Sequence, residues 1–274
     1  MSEKGMALSL ASSFFGHYAH CGFLCELEQA GVIPERIAGA SAGSLAGGLW
    51  AAGLRGEELK QEILSFGFRR SFFDFSAVWR IWGVMSWSYS PGILTGARMR
   101  RRLRHLIGEV RIEELNEPML ELAVANVGKG IGEIRSEGLL REFILASIAM
   151  PLVFCPRTID GERFLDGGVS NETPFDHWLD DPRVERIIVH QVNQADESFG
   201  EGFMNPGKVM ASCHSIANAE LDAYRRRRAE ASGKQIIFLE TIQPHPGLVQ
   251  SRSKGELLFN TGAETARRWL AGDG

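Results

Sequence analysis

The stretch from residue 37 to residue 54 carries no charged side chain and places the strongest limit on what this chain can fold into. Eighteen uncharged residues are about enough for a helix to cross a bilayer. Five of these residues are glycine and two are serine, so the stretch is less hydrophobic than a membrane span. We therefore predict a buried strand that leads into a helix of small residues, packed closely against a sheet.

Apolar runs and helical periodicities alternate along most of the chain, and no low-complexity linker or internal repeat divides it. Strands that alternate with helices form a mostly parallel sheet covered on both faces. The sequence therefore predicts an α/β fold: a three-layer α/β/α domain with a mainly parallel central sheet, as a single domain over residues 1–274. The predicted strands span residues 7–10, 36–40, 120–127, 132–136, 163–165, 186–192 and 235–240. The predicted helices span residues 17–30, 42–52, 56–66, 96–107, 140–149 and 255–270.

Composition excludes several classes of protein. The chain is 44% hydrophobic and 23% charged, as in soluble globular proteins. Its net charge of −4 argues against a protein that mainly binds nucleic acid. Four cysteines without metal-ligand spacing predict neither a zinc site nor a disulfide framework, and they indicate a reducing compartment. We expect a cytoplasmic protein whose first residues form a strand and not a signal peptide.

Gly39-Ala40-Ser41-Ala42-Gly43 fits the pattern G-x-S-x-G between a predicted strand and a predicted helix. A sharp turn of small residues there exposes the Ser41 hydroxyl at the helix N-terminus, where the Ala42 N–H can stabilise an oxyanion. This context predicts that Ser41 is a nucleophile, and the alternative is a plain strand-to-helix turn. None of the seven histidines lies in a motif that marks it as a base. A histidine-assisted serine hydrolase stays open, and it requires a histidine within hydrogen-bond reach of Ser41.

A second block carries a family resemblance. Ile159-Asp160-Gly161 and Arg163-Phe164-Leu165-Asp166-Gly167-Gly168-Val169, followed by Asn171 and Pro174, resemble the catalytic-aspartate block of the patatin-like phospholipase family. In the same order, residues 39–43 resemble the nucleophile turn of that family, and residues 146–151 resemble its A-S-x-A-x-P helix end. Gly92-Ile93-Leu94 with the helix after it fits the same layout, so the resemblance covers nearly the whole chain.

The resemblance implies a specific chemistry. It makes Ser41 the nucleophile and Asp166 its only side-chain base, with no metal or organic cofactor. It also implies hydrolysis of fatty-acyl esters of phospholipids or lysophospholipids through an acyl-serine intermediate. The expected partner is a lipid or acyl-ester substrate, and nucleic acid is not expected.

One departure from the family concerns the loop after the first strand. The family pattern is G-G-G-x-R/K-G, whereas residues 11–16 of this chain read A-S-S-F-F-G. Ser12, Ser13 and Ala42 are the candidate donors of an oxyanion hole, through backbone N–H groups or, in a reshaped loop, through the hydroxyls of Ser12 or Ser13. Serine and phenylalanine resist the left-handed backbone that glycine allows. The alternative function is therefore a catalytically impaired protein of this fold that binds lipid or regulates.

Aromatic side chains concentrate between residues 66 and 89, where nine of the 25 in the chain occur. We expect residues 66–95 to form a lid, an acyl-chain pocket or a membrane-interface segment, since tryptophan and tyrosine suit a half-wet boundary. The alternative is a packing insertion in the core. Phe14, Phe15, Trp79 and Trp82 are the candidate substrate-binding residues.

Two runs of arginine lie at residues 98–104 and 225–228. The simplest interpretation of each is a solvated helix face. Contact with anionic phospholipid headgroups is the alternative, which makes peripheral membrane contact a second expectation for this protein.

Overall fold

The computed structural model describes residues 3–74, 77–85, 91–194, 206–244 and 251–272. Within these residues the strands are β1 (Glu3–Leu10), β2 (Pro34–Gly39), β3 (Gly92–Leu94), β4 (Met119–Asn126), β5 (Ile131–Arg135), β6 (Leu152–Phe154), β7 (Arg157–Ile159), β8 (Glu162–Asp166), β9 (Arg186–Gln194) and β10 (Gln235–Gln243). The α-helices are α1 (His17–Gln29), α2 (Ala42–Ala51), α3 (Gly56–Leu64), α4 (Phe66–Ser71), α5 (Ala77–Met85), α6 (Ala97–Ile107), α7 (Leu140–Ser147), α8 (Pro206–Ala231) and α9 (Arg252–Ala271).

The main sheet has the order β10-β9-β1-β2-β4-β8-β7, and β5 also pairs with β4. The five strands from β10 to β4 pair in parallel. The remaining strands β5, β7 and β8 pair antiparallel at one side of the sheet. This confirms the predicted mainly parallel sheet, and β3 and β6 form a separate two-stranded parallel sheet.

Alternate residues of the central strands face two different cores. Leu8, Ile37 and Ile188 belong to the larger core, which α1, α2, α3, α6, α7 and α9 cover. Their neighbours face a smaller core, where Phe175 and Trp178 pack together with Ala229 of α8. Because strand side chains alternate between faces, this period of two produces the three predicted layers.

The uncharged stretch folds as predicted, into β2 and α2, and every residue of α2 is buried. Among the helices that the structure describes, none is long and apolar enough to span a membrane. The helix predicted over residues 56–66 is wrong at its end. Ser65 is extended, and its hydroxyl accepts a hydrogen bond from the Phe68 N–H, so α3 stops and α4 begins there.

Candidate active site

Ser41 occupies a strained turn between β2 and α2. Its φ of 48° and ψ of −113° lie outside the regions that a serine ordinarily adopts. The turn is sharp enough that a Cβ on Gly43 would lie 2.1 Å from the carbonyl oxygen of Leu10. A side chain at position 43 would therefore push α2 away from β1, and the small residues are what let the helix start directly behind Ser41.

Sheet register brings Asp166 to Ser41. Gly39 at the end of β2 lies opposite Leu122 of β4, and two residues further along β4, Val124 lies opposite Asp166. The antiparallel strand β8 thus ends beside the turn that follows β2. The Ser41 Oγ donates a hydrogen bond to Asp166 Oδ2 at 2.7 Å, and the Gly168 N–H donates to Oδ1 at 2.7 Å.

The carboxyl group of Asp166 has unusual electrostatics. Its residue is only 4% exposed, and burial raises the pKa of the carboxyl to about 7. The hydrogen bonds from Ser41 and Gly168 oppose this rise, and nearby Glu172 adds to it. A carboxyl group with a pKa near neutrality is suited to accept and return a proton at physiological pH.

Ser147, in the A-S-x-A-x-P segment, supports the turn from behind. Its hydroxyl accepts a hydrogen bond from the Ser41 N–H at 3.0 Å and lies 2.6 Å from the hydroxyl of Ser44. It also donates to the carbonyl of Ala123 on β4 at 2.7 Å. Ser147 was not among the site residues predicted from the sequence, although the A-S-x-A-x-P motif that contains it was the available signal.

The loop after β1 brings some of the candidate oxyanion donors to the site and not others. The N–H of Ser12 donates to the Glu172 carbonyl at 2.7 Å, so it is not free to bind an oxyanion. The backbone N–H groups of Ser13, Phe14 and Ala42 donate to no acceptor in the described part of the chain. Of the loop's non-glycine residues, Phe15 has a left-handed backbone, with φ of 55°.

An apolar cavity of about 220 Å³ opens beside Ser41. Its wall includes the candidate residues Ser13, Phe14, Phe15 and Ala42 together with Ser41 itself. The other lining residues are His17, Leu45, Phe72, Phe73, Leu94, Ile148, Met150, Val153 and Phe154. An engineered apolar cavity of about 150 Å³ holds benzene, so this space has room for part of an acyl chain.

The predicted aromatic segment contributes to this cavity through Phe72, Phe73 and Leu94. Trp82 is 69% exposed on α5 and does not line the cavity. Trp79 lies on the same helix, and its side chain is outside the described part of the structure, as are Phe75, Trp87 and Tyr89. The tryptophans singled out by sequence therefore remain substrate-binding predictions without support from the cavity.

Two buried histidines hold the start of the loop. His20 Nε2 lies 2.9 Å from the Ala11 carbonyl, which can only accept, so this nitrogen carries the hydrogen. Burial lowers the pKa of both His20 and His190, so both rings are neutral. Because His20 carries its hydrogen on Nε2, its Nδ1 is an acceptor, and His190 Nδ1 donates to it at 2.9 Å. The Thr241 hydroxyl then donates to His190 Nε2 at 2.8 Å. The tautomers are thus assigned by the hydrogen-bond chain, which ends on the backbone of Ala11.

No histidine of the described residues takes part in the serine–aspartate contact. His17 lines the cavity, but burial lowers its pKa to about 3, and its Nε2 has no hydrogen-bond partner in the described ranges of the chain. Among the residues that the structure describes, Asp166 is the one hydrogen-bond partner of the Ser41 hydroxyl. Within the same residues, no three histidine, cysteine, aspartate or glutamate side chains form a metal-binding group.

Comparisons with known proteins agree with this architecture. An uncharacterised NTE family protein of Mycobacterium tuberculosis is 33% identical over 176 residues, which cover 64% of this chain and 45% of that protein. The lysophospholipase NTE1 of Saccharomyces cerevisiae is 25% identical over 294 residues, covering 99% of this chain and 17% of that protein. This chain therefore spans less than half the length of these relatives.

A solved structure and a family model complete the comparison. VipD from Legionella pneumophila shares the fold, with a TM-score of 0.52 and 16% identity over 98% of this chain and 67% of that chain. The model of the patatin-like phospholipase family matches residues 8–178, which is more than half of the sequence. The chain belongs to the patatin-like phospholipase family.

Proposed function

We propose that this chain hydrolyses fatty-acyl esters of phospholipids or lysophospholipids through a Ser41–Asp166 dyad. The observation that carries the proposal is the 2.7 Å hydrogen bond from Ser41 Oγ to a buried carboxylate at the wall of an apolar cavity. Nucleophile, base and acyl-sized space therefore occupy one site. The relatives named lysophospholipase support the substrate class.

The reaction takes two steps. Asp166 accepts the proton of Ser41 while Oγ attacks the ester carbonyl carbon, and the resulting oxyanion accepts hydrogen bonds from N–H groups of Ala42 and of Ser13 or Phe14. The ester C–O bond then breaks, and the leaving alcohol takes the proton from Asp166. In the second step Asp166 accepts a proton from a water molecule, whose oxygen attacks the acyl-serine carbonyl carbon. The bond from that carbon to Ser41 Oγ then breaks, Oγ takes the proton from Asp166, and the fatty acid leaves.

The experiment measures hydrolysis of short- and long-chain p-nitrophenyl esters and of lysophosphatidylcholine. We expect Ser41→Ala and Asp166→Asn each to abolish turnover, whereas Asp160→Asn, an exposed site with φ of 50° that asparagine tolerates, retains it. Since Asp166 must be ionised, kcat/KM rises with pH around a midpoint of about 7. A fluorophosphonate probe followed by intact mass should add one adduct to the wild type and none to Ser41→Ala.

The opposite result, a folded protein without esterase activity, would contradict the proposal. A folded wild-type protein that neither turns over any ester nor reacts with the fluorophosphonate contradicts the dyad. It favours the alternative of a lipid-binding protein, in which Phe14 and Phe15 fill the space that a substrate needs.

A further inference from the structure

A second concavity, of about 650 Å³, lies between α4 and α6 and is lined mainly by basic side chains. It is separate from the Ser41 cavity and has different walls. Its lining includes Arg70, Arg98, Arg101, Arg102, Arg104 and His105. We call these residues together with Phe66 and Phe73 the basic-aromatic face.

The positive charge of this face is only partly neutralised. Arg102 forms a salt bridge with Glu62. Arg101 and Arg104 are exposed and have no carboxylate partner among the residues that the structure describes. The face therefore carries an excess of guanidinium groups that attracts anions.

Most arginines of the other run, residues 225–228, have hydrogen-bond or salt-bridge partners, which distinguishes that run from the one at α6. Arg225 is buried and donates to the Ser170 carbonyl, Arg226 pairs with Asp222, and Arg228 lies near Asp176 and Asp180. We predicted that run as a solvated helix face. Arg225 corrects this prediction, since its side chain is buried and its hydrogen bond to the Ser170 carbonyl connects α8 to the segment that follows β8. Three of the four arginines at α8 thus have carbonyl or carboxylate partners and Arg227 is exposed, whereas Arg101 and Arg104 at α6 have no carboxylate partner among the described residues.

Exposed aromatic side chains accompany the charge. Phe66 is 68% exposed at the start of α4, where the Arg70 guanidinium lies 5.9 Å from its ring centre. Phe73 is 46% exposed and also lines the Ser41 cavity. The Arg98 Nη1 donates to the Phe73 carbonyl at 3.1 Å, so the charged concavity and the cavity wall are physically connected.

We propose that the basic-aromatic face docks this protein on an anionic phospholipid bilayer. Guanidinium groups beside exposed aromatic rings match the phosphates and the acyl boundary of such a surface. Docking in this orientation brings Phe73, and with it the Ser41 cavity, to the lipid. The inference rests on the proposed function, which gives the reason for docking at a lipid surface. Its test measures vesicle binding separately from ester hydrolysis.

The experiment is co-sedimentation with vesicles of phosphatidylcholine alone and of phosphatidylcholine mixed with phosphatidylglycerol. We expect the wild type to prefer the anionic vesicles and to lose affinity as salt is raised. Arg101→Glu combined with Arg104→Glu should weaken that binding at least tenfold and flatten its salt dependence. Phe66→Ser should weaken it several-fold and leave the salt dependence in place, since it removes apolar contact and no charge.

The matched control is Arg163→Glu combined with Arg227→Glu, which changes the net charge equally at two exposed arginines on β8 and α8. Equal loss in both double variants, equal binding to both vesicle types, or displacement from the vesicles by millimolar inorganic phosphate overturns the proposal. Hydrolysis of a soluble p-nitrophenyl ester by the Arg101/Arg104 variant serves as the separate readout. A wild type that binds vesicles and hydrolyses nothing contradicts the proposed function and leaves the docking inference standing.

Discussion

Burial of Asp166 links the chemistry of the site to the stability of the fold. The carboxyl group has a pKa of about 7 in the folded chain, against 3.8 for an ordinary aspartate. Between about pH 4 and pH 7 the folded chain therefore holds a proton that the unfolded chain has released, so stability falls as the pH rises through this range. Above pH 7 the folded chain keeps an ionised carboxylate in a buried site, as the proposed role of Asp166 as a base requires.

Asp166→Asn should therefore be inactive and more stable than the wild type at pH 8. Asparagine can accept from the Gly168 N–H and donate to Ser41 without placing a charge in the site. The difference between a pKa of about 7 in the folded chain and 3.8 for an ordinary aspartate corresponds to a gain on the order of 2–4 kcal/mol in the free energy of unfolding. Denaturant unfolding at pH 8 and at pH 4 checks this, because the gain should vanish at pH 4.

Asp160→Asn supplies the comparison, since that aspartate is exposed and its replacement should leave the free energy of unfolding unchanged at both pH values. An Asp166→Asn protein that is less stable than the wild type at pH 8 would show that the carboxylate stabilises the fold.

Helices α1 and α9 approach each other closely through small residues. A Cβ on Gly262 would lie 1.9 Å from the Ala19 carbonyl oxygen, and a Cβ on Gly22 would lie 2.0 Å from that of Phe259. Backbone atoms cannot move aside as a flexible side chain can, so these contacts fix the distance between the helices. The glycines lower helix propensity, and the close packing compensates for it.

Gly262→Ala should lower the free energy of unfolding by about 1–3 kcal/mol, because the added methyl group forces the two helices apart. Gly67→Ala on the exposed side of α4 has no backbone clash and should gain up to about 1 kcal/mol from helix propensity. Thermal unfolding of the two variants beside the wild type measures the difference. Similar effects at both positions would mean that the helix contact tolerates extra volume.

Local patterns in the sequence were sufficient for most of the elements and for the nucleophile turn. The strands β1, β2, β4, β9 and β10 have apolar runs, and G-A-S-A-G marks the turn by its small residues. Helix α8 was not predicted, because a chain segment that buries polar residues such as Asn218 and Arg225 lacks a clear apolar stripe. Spacing alone could not place Asp166 beside Ser41, since that contact depends on the register of β2, β4 and β8.

The conformation of the loop from residue 11 to residue 16 could not be predicted from the sequence, for a different reason. Its departure from the glycine pattern was visible in the sequence, but the hydrogen bond from Ser12 to Glu172 and the histidine chain behind Ala11 connect residues far apart in the chain. Such contacts leave no local pattern, and only the folded arrangement brings them together.

Three buried neutral histidines make the protein as a whole sensitive to acid. Burial lowers the pKa values of His17 to about 3 and of His20 to about 4, and it lowers that of His190 as well. Below about pH 6.5 the unfolded chain binds protons at these positions and the folded chain does not, so stability falls as the pH is lowered. The proton that folded Asp166 holds opposes this effect only in part.

We expect the free energy of unfolding to decrease between pH 6.5 and pH 4, with a net uptake of about two protons on unfolding near pH 5. His17→Phe should reduce that uptake by about one proton, because it removes one buried neutral imidazole. The fold should tolerate phenylalanine there, since the His17 ring stacks on Phe72 and its Nε2 has no hydrogen-bond partner among the described residues. His105→Gln, at an exposed histidine, is the control for the loss of an imidazole ring. Urea titrations at several pH values measure how the free energy of unfolding changes with pH. A free energy of unfolding that does not change between pH 6.5 and pH 4 contradicts the prediction.

The position of β1 in the sheet has a consequence for biosynthesis. β1 lies between β2, which follows it directly, and β9, which begins at Arg186. On a ribosome that adds about 5–20 residues per second, the two edges of β1 are completed about 8–30 seconds apart. During that interval one edge of β1 is unpaired and open to chaperones or to neighbouring nascent chains. For most of it Asp166, the hydrogen-bond partner of Ser41, has not yet been synthesised. The proposed Ser41–Asp166 pair therefore forms late in the synthesis of the chain.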